Sequence, residues 1–168
     1  ERHFNAGIAE CDLMGMSAGL ATTGKIPFAS TFAILGAGRA FEIIRNSICY
    51  PKLNVKIALT HAGISVGEDG GSHQSVEDVA LMRAVPNMTV LVPADATETQ
   101  RMMDAAVAID GPVYIRLGRL DTNVIFDEDY EFEVGKASAL KEGHDLTIMA
   151  MGLMVEKALE AADILKAE

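Results

Sequence analysis

The chain reads as an α/β protein, a parallel β-sheet covered by helices on both faces. Three observations predict this. Short apolar runs alternate along the chain with longer segments of helical period. The run at 55–60, VKIALT, is almost wholly apolar, as a strand covered on both faces must be. A glycine-rich stretch follows it directly, where open α/β sheets place their ligand loops.

Residues 6–21 predict a helix with Leu13, Met14 and Ser17 in line, stopping near Gly24. Residues 25–31 predict a strand led by Pro27. Residues 38–50 predict a helix with Phe41, Ile44 and Ile48 on one face, ended by Pro51. After the strand at 55–60 and the loop at 61–75 come a helix at 76–85 and a strand at 89–92. Asp95, Thr97 and Glu98 then open another helix. A strand at 112–117 completes the first block. Residues 121–133 carry six acids, Asp121, Asp127, Glu128, Asp129, Glu131 and Glu133, and read as a solvated linker. Two strand-like pieces, 135–140 and 145–151, precede a last helix with Leu153, Val155, Leu159 and Leu165. This tail reads as the start of a second α/β domain, cut off at residue 168.

With 168 residues, 49% of them hydrophobic, the chain can bury one real core. Its net charge of −10, its lack of Trp and the absence of basic runs interleaved with aromatics argue against nucleic-acid binding. Cys11 and Cys49 stand alone, without metal or disulfide spacing, which fits a reducing, cytoplasmic setting. No apolar run is long enough to span a membrane. The opening ERHFN, without an initiator Met, suggests a fragment.

Two places carry chemistry. Glu10 sits at the head of an otherwise apolar helix, where burial would favour its protonated, hydrogen-bond-donating form. The alternative is a solvated acid near the positive end of the helix dipole. The loop HAGISVGEDGGSHQ packs two histidines, two carboxylates and four glycines into fourteen residues after a buried strand. His61 and His73 can shuttle protons near neutral pH, and Asp69 can accept from a hydroxyl. A turn-rich surface loop and a metal site are the other readings; no His pair at i and i+4 supports the metal.

The stretches RHFNAGIAE, STFA followed by RAFEIIRNSICYPKLNVKIALTHAG, VGEDGGSHQSVEDVALMRAVPNMTVLVPAD and DGPVYIRLGR fall in order over most of residues 2–119. Together they resemble the pyrimidine-binding domain of transketolases, most closely the C-terminal subunit of split transketolases. The tail from GKASAL through TIMAMGLMVEKALEAADIL resembles the start of that family's C-terminal domain. The resemblance implies the pyrimidine module of the thiamin diphosphate-binding fold at 1–120, lacking its first strand. It makes 121–133 a linker and 134–168 a truncated C-terminal domain. It also implies transfer of a two-carbon ketol unit between sugar phosphates, as in the pentose phosphate pathway.

By the same resemblance, Glu10 is the acid that hydrogen-bonds the aminopyrimidine, with Phe32 and Leu35 as further cofactor contacts. His73 lies beside the thiazolium and the substrate carbonyl, and Asp69 accepts from a sugar hydroxyl. His61 and Arg119 hold a phosphate. The diphosphate, with Mg²⁺ or Ca²⁺, is expected on a partner chain in a homo- or hetero-oligomer, since no diphosphate motif is visible and no metal ligands are assigned here. Cys11 and Asp12 replace the family's Gln-Asn, His3 replaces an aromatic, and Leu35 replaces the ring that stacks on the pyrimidine. Two alternatives therefore stand: a 1-deoxyxylulose-5-phosphate synthase-like enzyme, and a non-catalytic remnant that binds a partner. Thr60-His61 and Gln74 favour transketolase over the synthase.

Overall fold

A computed structural model describes residues 2–166. Four parallel strands, β1 (Phe28–Ala29), β2 (Lys56–Leu59), β3 (Thr89–Leu91) and β4 (Val113–Arg116), form one sheet in the order β1-β2-β4-β3. Ile57 faces Tyr114, and Leu59 faces Arg116, so β2 and β4 form the centre. Side chains alternate across this pair, and the alternation divides the core in two. Ile57, Leu59 and Tyr114 join Met14, Ala33, Ala37, Ile44 and Ile48 on one face. Ala58, Val113 and Ile115 join Leu91, Met102 and Ala106 on the other.

The first face is covered by α1 (Glu10–Ala21), by a helical stretch from Ile34 to Cys49, and by α3 (Asp78–Ala84); the second is covered by α4 (Ala96–Ala108). The parallel sheet with helices on both faces is therefore as expected. Asp95 caps α4 as its sequence predicts, its Oδ1 accepting from Glu98 N at 2.7 Å.

Several elements differ from expectation. Helix α1 begins at Glu10 rather than Ala6. Asn5 Oδ1 accepts from Gly7 N at 2.8 Å, and Gly7 holds φ +70°, so residues 5–7 form a turn instead. The second helix starts earlier than residue 38 and is wide. Two π-helical segments, Ile34–Arg39 and Ile44–Cys49, flank α2 (Phe41–Ile43). Gly36 lets this segment lie close on β2: a Cβ there would stand 2.5 Å from a methyl of Leu59 and force that buried side chain to shift. The first strand shrinks to Phe28–Ala29, an edge position where Pro27 can offer only its carbonyl, to Lys56 N at 2.9 Å.

The strands expected at 135–140 and 145–151 do not form among the described residues. An apolar run becomes a strand only where a neighbour offers it a ladder, and none does so here. The acidic stretch is not wholly solvated either. Asp95 Oδ2 accepts from Ile125 N at 2.6 Å and Phe126 N at 2.8 Å, and Phe126 packs with Ala94 and Val155. Helix α5 (Met154–Lys166) closes the described chain.

Candidate functional site

The site lies at the carboxyl ends of β1, β2 and β4. Beyond β2 the ladder continues for one residue: Thr60 N donates to Thr31 O at 3.0 Å and Ala33 N donates to Thr60 O at 2.8 Å. That short extension sets Phe32 beside His61. Their rings stack with centroids 3.9 Å apart and planes 20° from parallel. His61 takes a left-handed φ of +60°, a conformation that costs a non-glycine residue about 1–3 kcal/mol and is held here by its neighbours. Its Nδ1 is 3.0 Å from Thr60 Oγ1.

The loop then makes two 3₁₀ turns, Gly67–Asp69 and Gly71–His73. The second returns His73 to the cluster, edge-on to Phe32 at 6.1 Å. Phe32, half-buried, thus holds both predicted histidines. Asp69 stands exposed on the outer turn. Gly63 and Ser75 close the base of the loop, with Gly63 N donating to Ser75 O at 2.7 Å.

Arg119 is not a freely solvated strand-end arginine. Its Nη1 donates to Val66 O at 2.7 Å. Gly67, at φ +80°, leaves the space this needs; a Cβ there would lie 2.2 Å from Nη1. The remaining guanidinium donors stay available to an anion.

Glu10 is buried, as the apolar stripe predicts, at 5% exposure. The structure gives it a partner the sequence did not point to: Arg39 Nη1 donates to its Oε2 at 2.8 Å. Oε1 receives no donor among the described residues. Arg39 ends the π-helical segment that carries the half-buried Leu35, so α1 and that segment bring the acid and the apolar residue into one region. Asp12, one of the departures from the family pattern, is exposed. Among the described residues no three His, Cys, Asp or Glu side chains gather as a metal would need.

Sequence reasoning missed two groups. Arg39 is 29 positions from Glu10 and carried no local signal. Asp78 is fully buried and accepts from Tyr114 Oη at 2.6 Å and Arg116 Nε at 2.7 Å. A charged residue ending the apolar run VYIR was the available hint, since a half-buried arginine needs a partner. Burial, and after it the Asp78 carboxylate, push the Tyr114 phenol far above its ordinary range, which keeps it a donor.

The model of the transketolase pyrimidine-binding domain matches residues 1–124, and that of the transketolase C-terminal domain matches residues 135–168. A protein of Methanocaldococcus jannaschii assigned as a transketolase C-terminal section is 56% identical over 99% of this chain and 53% of its own length. A 6-deoxy-6-sulfo-D-fructose transketolase subunit of a Clostridium species is 44% identical over 96% of this chain and 50% of its own. A solved split-gene transketolase, described as an inactive β4 tetramer, superposes with TM-score 0.89 at 62% identity, over 98% of this chain and 53% of that one. The chain therefore spans about half the length of the curated relatives it matches. Among the described residues no helix is long and apolar enough to cross a membrane.

Proposed function

The chain belongs to the transketolase family, and on that premise we propose that it forms the pyrimidine-side half of a ketol-transferase site. The proposed partner is a diphosphate-binding subunit that holds Mg²⁺ or Ca²⁺ in a cytoplasmic oligomer. The substrates are sugar phosphates. The observation that carries this reading is the gathering of His61, Phe32 and His73 where β1 and β2 end. Residues 1–120, 121–133 and 134–168 are read as pyrimidine domain, linker and the start of the C-terminal domain.

The residues present fit the pyrimidine half of thiamin diphosphate. Glu10 is buried with one oxygen left open, and Phe32 and Leu35 supply apolar surface. When bound, the cofactor supplies the carbanion chemistry of two-carbon transfer. Glu10 would hydrogen-bond the pyrimidine. His61 and His73 would hold or move protons at sugar oxygens, and Asp69 would accept from a hydroxyl. Arg119 would hold a phosphate with the donors that Val66 does not use.

The test is a ketol-transfer assay of the chain with and without a diphosphate-binding transketolase subunit. Turnover is expected only in the mixture. Glu10→Gln is expected to lower kcat more than tenfold even at saturating cofactor, since positioned acid–base groups contribute about 10²–10⁴. Full turnover by the pure chain, or by the variant complex, overturns the assignment.

A further inference from the structure

We infer that the ion pair between buried Asp78 and half-buried Arg116 is a positioning device that fixes both stems of the 61–75 loop, and with them the spacing of His61 and His73. Arg116 ends β4, opposite Leu59, two residues before His61 on the adjoining strand. Its Nη2 lies against the first stem, 3.3 Å from where a Cβ on Gly63 would stand. Asp78 begins α3, three residues after Ser75 on the second stem. Gly63 and Ser75 are themselves bonded across the loop base, at 2.7 and 3.3 Å. One carboxylate thus ties the end of the central strand, the start of α3 and both sides of the loop to one another.

The energetics point the same way. Asp78 is 0% exposed, and its partner Arg116 is 22% exposed. Taking two charges from water costs enough that an apolar pair of similar volume often leaves a protein as stable or more so. What the ion pair adds is direction. Arg116 Nε and Nη2 both donate to Asp78, at 2.7 and 3.4 Å, which orients the fork beside Gly63. Tyr114 Oη, donating at 2.6 Å, fixes the carboxylate from the sheet side. The importance of this spacing for ketol transfer rests on the function proposed above; the positioning itself does not.

The test uses hydrogen exchange and the ring-proton spectrum of His61 in the full chain. The double variant Asp78→Asn with Arg116→Met removes the ion pair without stranding a buried charge. Its Gly63 and Ser75 amides are expected to exchange at least tenfold faster, while the amides of Val113 on β4 and Leu117 just beyond it, bonded to Val55 and Leu59, keep their protection. His61 ring protons are expected to lose the upfield displacement that stacking on Phe32 imposes. A folded double variant with an unchanged loop overturns the inference. If the double variant does not fold, Arg116→Lys keeps the charge but not the fork: a loosened loop supports the device, and an unchanged loop overturns it. Neither readout uses catalysis. A loosened loop together with an inactive wild-type complex would sink the transferase reading alone.

Discussion

Leu35 occupies the place where the family's resemblance calls for an aromatic ring, and it is half-buried on the π-helical segment beside Glu10. An aliphatic side chain offers area but no π-face. Leu35→Phe is therefore expected to tighten thiamin diphosphate binding to the reconstituted complex by about 0.5–1.5 kcal/mol, read by calorimetric titration. Weaker binding by an equally stable variant would mean that the side chain does not face the ring. Lys56 is a second residue whose behaviour its surroundings dictate. It is 0% exposed in the middle of the sheet, and its ammonium donates to Ile109 O at 2.7 Å and Gly111 O at 2.8 Å, just past α4. Burial lowers its pKa, and Asp110 partly offsets this. Because the folded-state pKa lies below the unfolded one, the unfolded chain binds more protons in the window between them. The Lys56 contribution to stability thus rises with pH through that window, up to the ordinary lysine range. Lys56→Met is expected to flatten this slope in urea unfolding followed from pH 7 upward. It also strands two carbonyls, at a cost of about 1–3 kcal/mol near neutrality.

At the scale of elements, Asp95 is where the described chain holds itself together. One oxygen caps α4, and the other takes the amides of Ile125 and Phe126. Glu98 reinforces the joint, accepting from Ala94 N at 2.8 Å and Tyr130 Oη at 3.1 Å. Asp95→Ala loses a cap worth about 0.5–2 kcal/mol and leaves two amides without their acceptor. The expected result is a loss of at least about 2 kcal/mol in urea unfolding, with faster proteolysis within 121–130. A loss below about 0.5 kcal/mol would show that water replaces the joint. This junction also marks the limit of what sequence makes legible. The order of strands and helices through residue 117 follows from period and caps, because those signals are local. The loop at 61–75 announces itself by density of glycine, histidine and carboxylate. Pairings 29 to 38 positions apart, Glu10 with Arg39 and Asp78 with Arg116, exist only once the sheet has formed. The same holds for the 135–151 region, whose apolar residues suit strands but find no ladder among the described residues.

For the whole molecule, the surface left open bears on association. Helix α1 buries Glu10, Met14, Ser17 and Ala18 and turns Cys11, Gly15, Met16 and Gly19 outward. A Cβ at Gly15 or Gly19 would meet nothing within 4 Å, so another backbone can approach this face closely. Ile8 just before it is 92% exposed, and elsewhere Met149 is 91% exposed. Apolar surface of this kind favours association. The chain is therefore expected to self-associate with rising concentration, and α1 is the face expected to carry the contact. Gly15→Leu with Gly19→Leu separates this from association through the 146–154 region. Both positions are exposed and helical, so replacing glycine there should raise helix stability rather than lower it, each glycine being about 0.8–1 kcal/mol poorer than alanine. The added side chains would nonetheless hold a second backbone away. Sedimentation of the pair across a concentration series should show the wild type associating and the variant shifted toward monomer, with the variant's thermal midpoint equal or higher. Unchanged association in a stable variant would remove α1 from the contact and leave the exposed 146–154 surface to account for it.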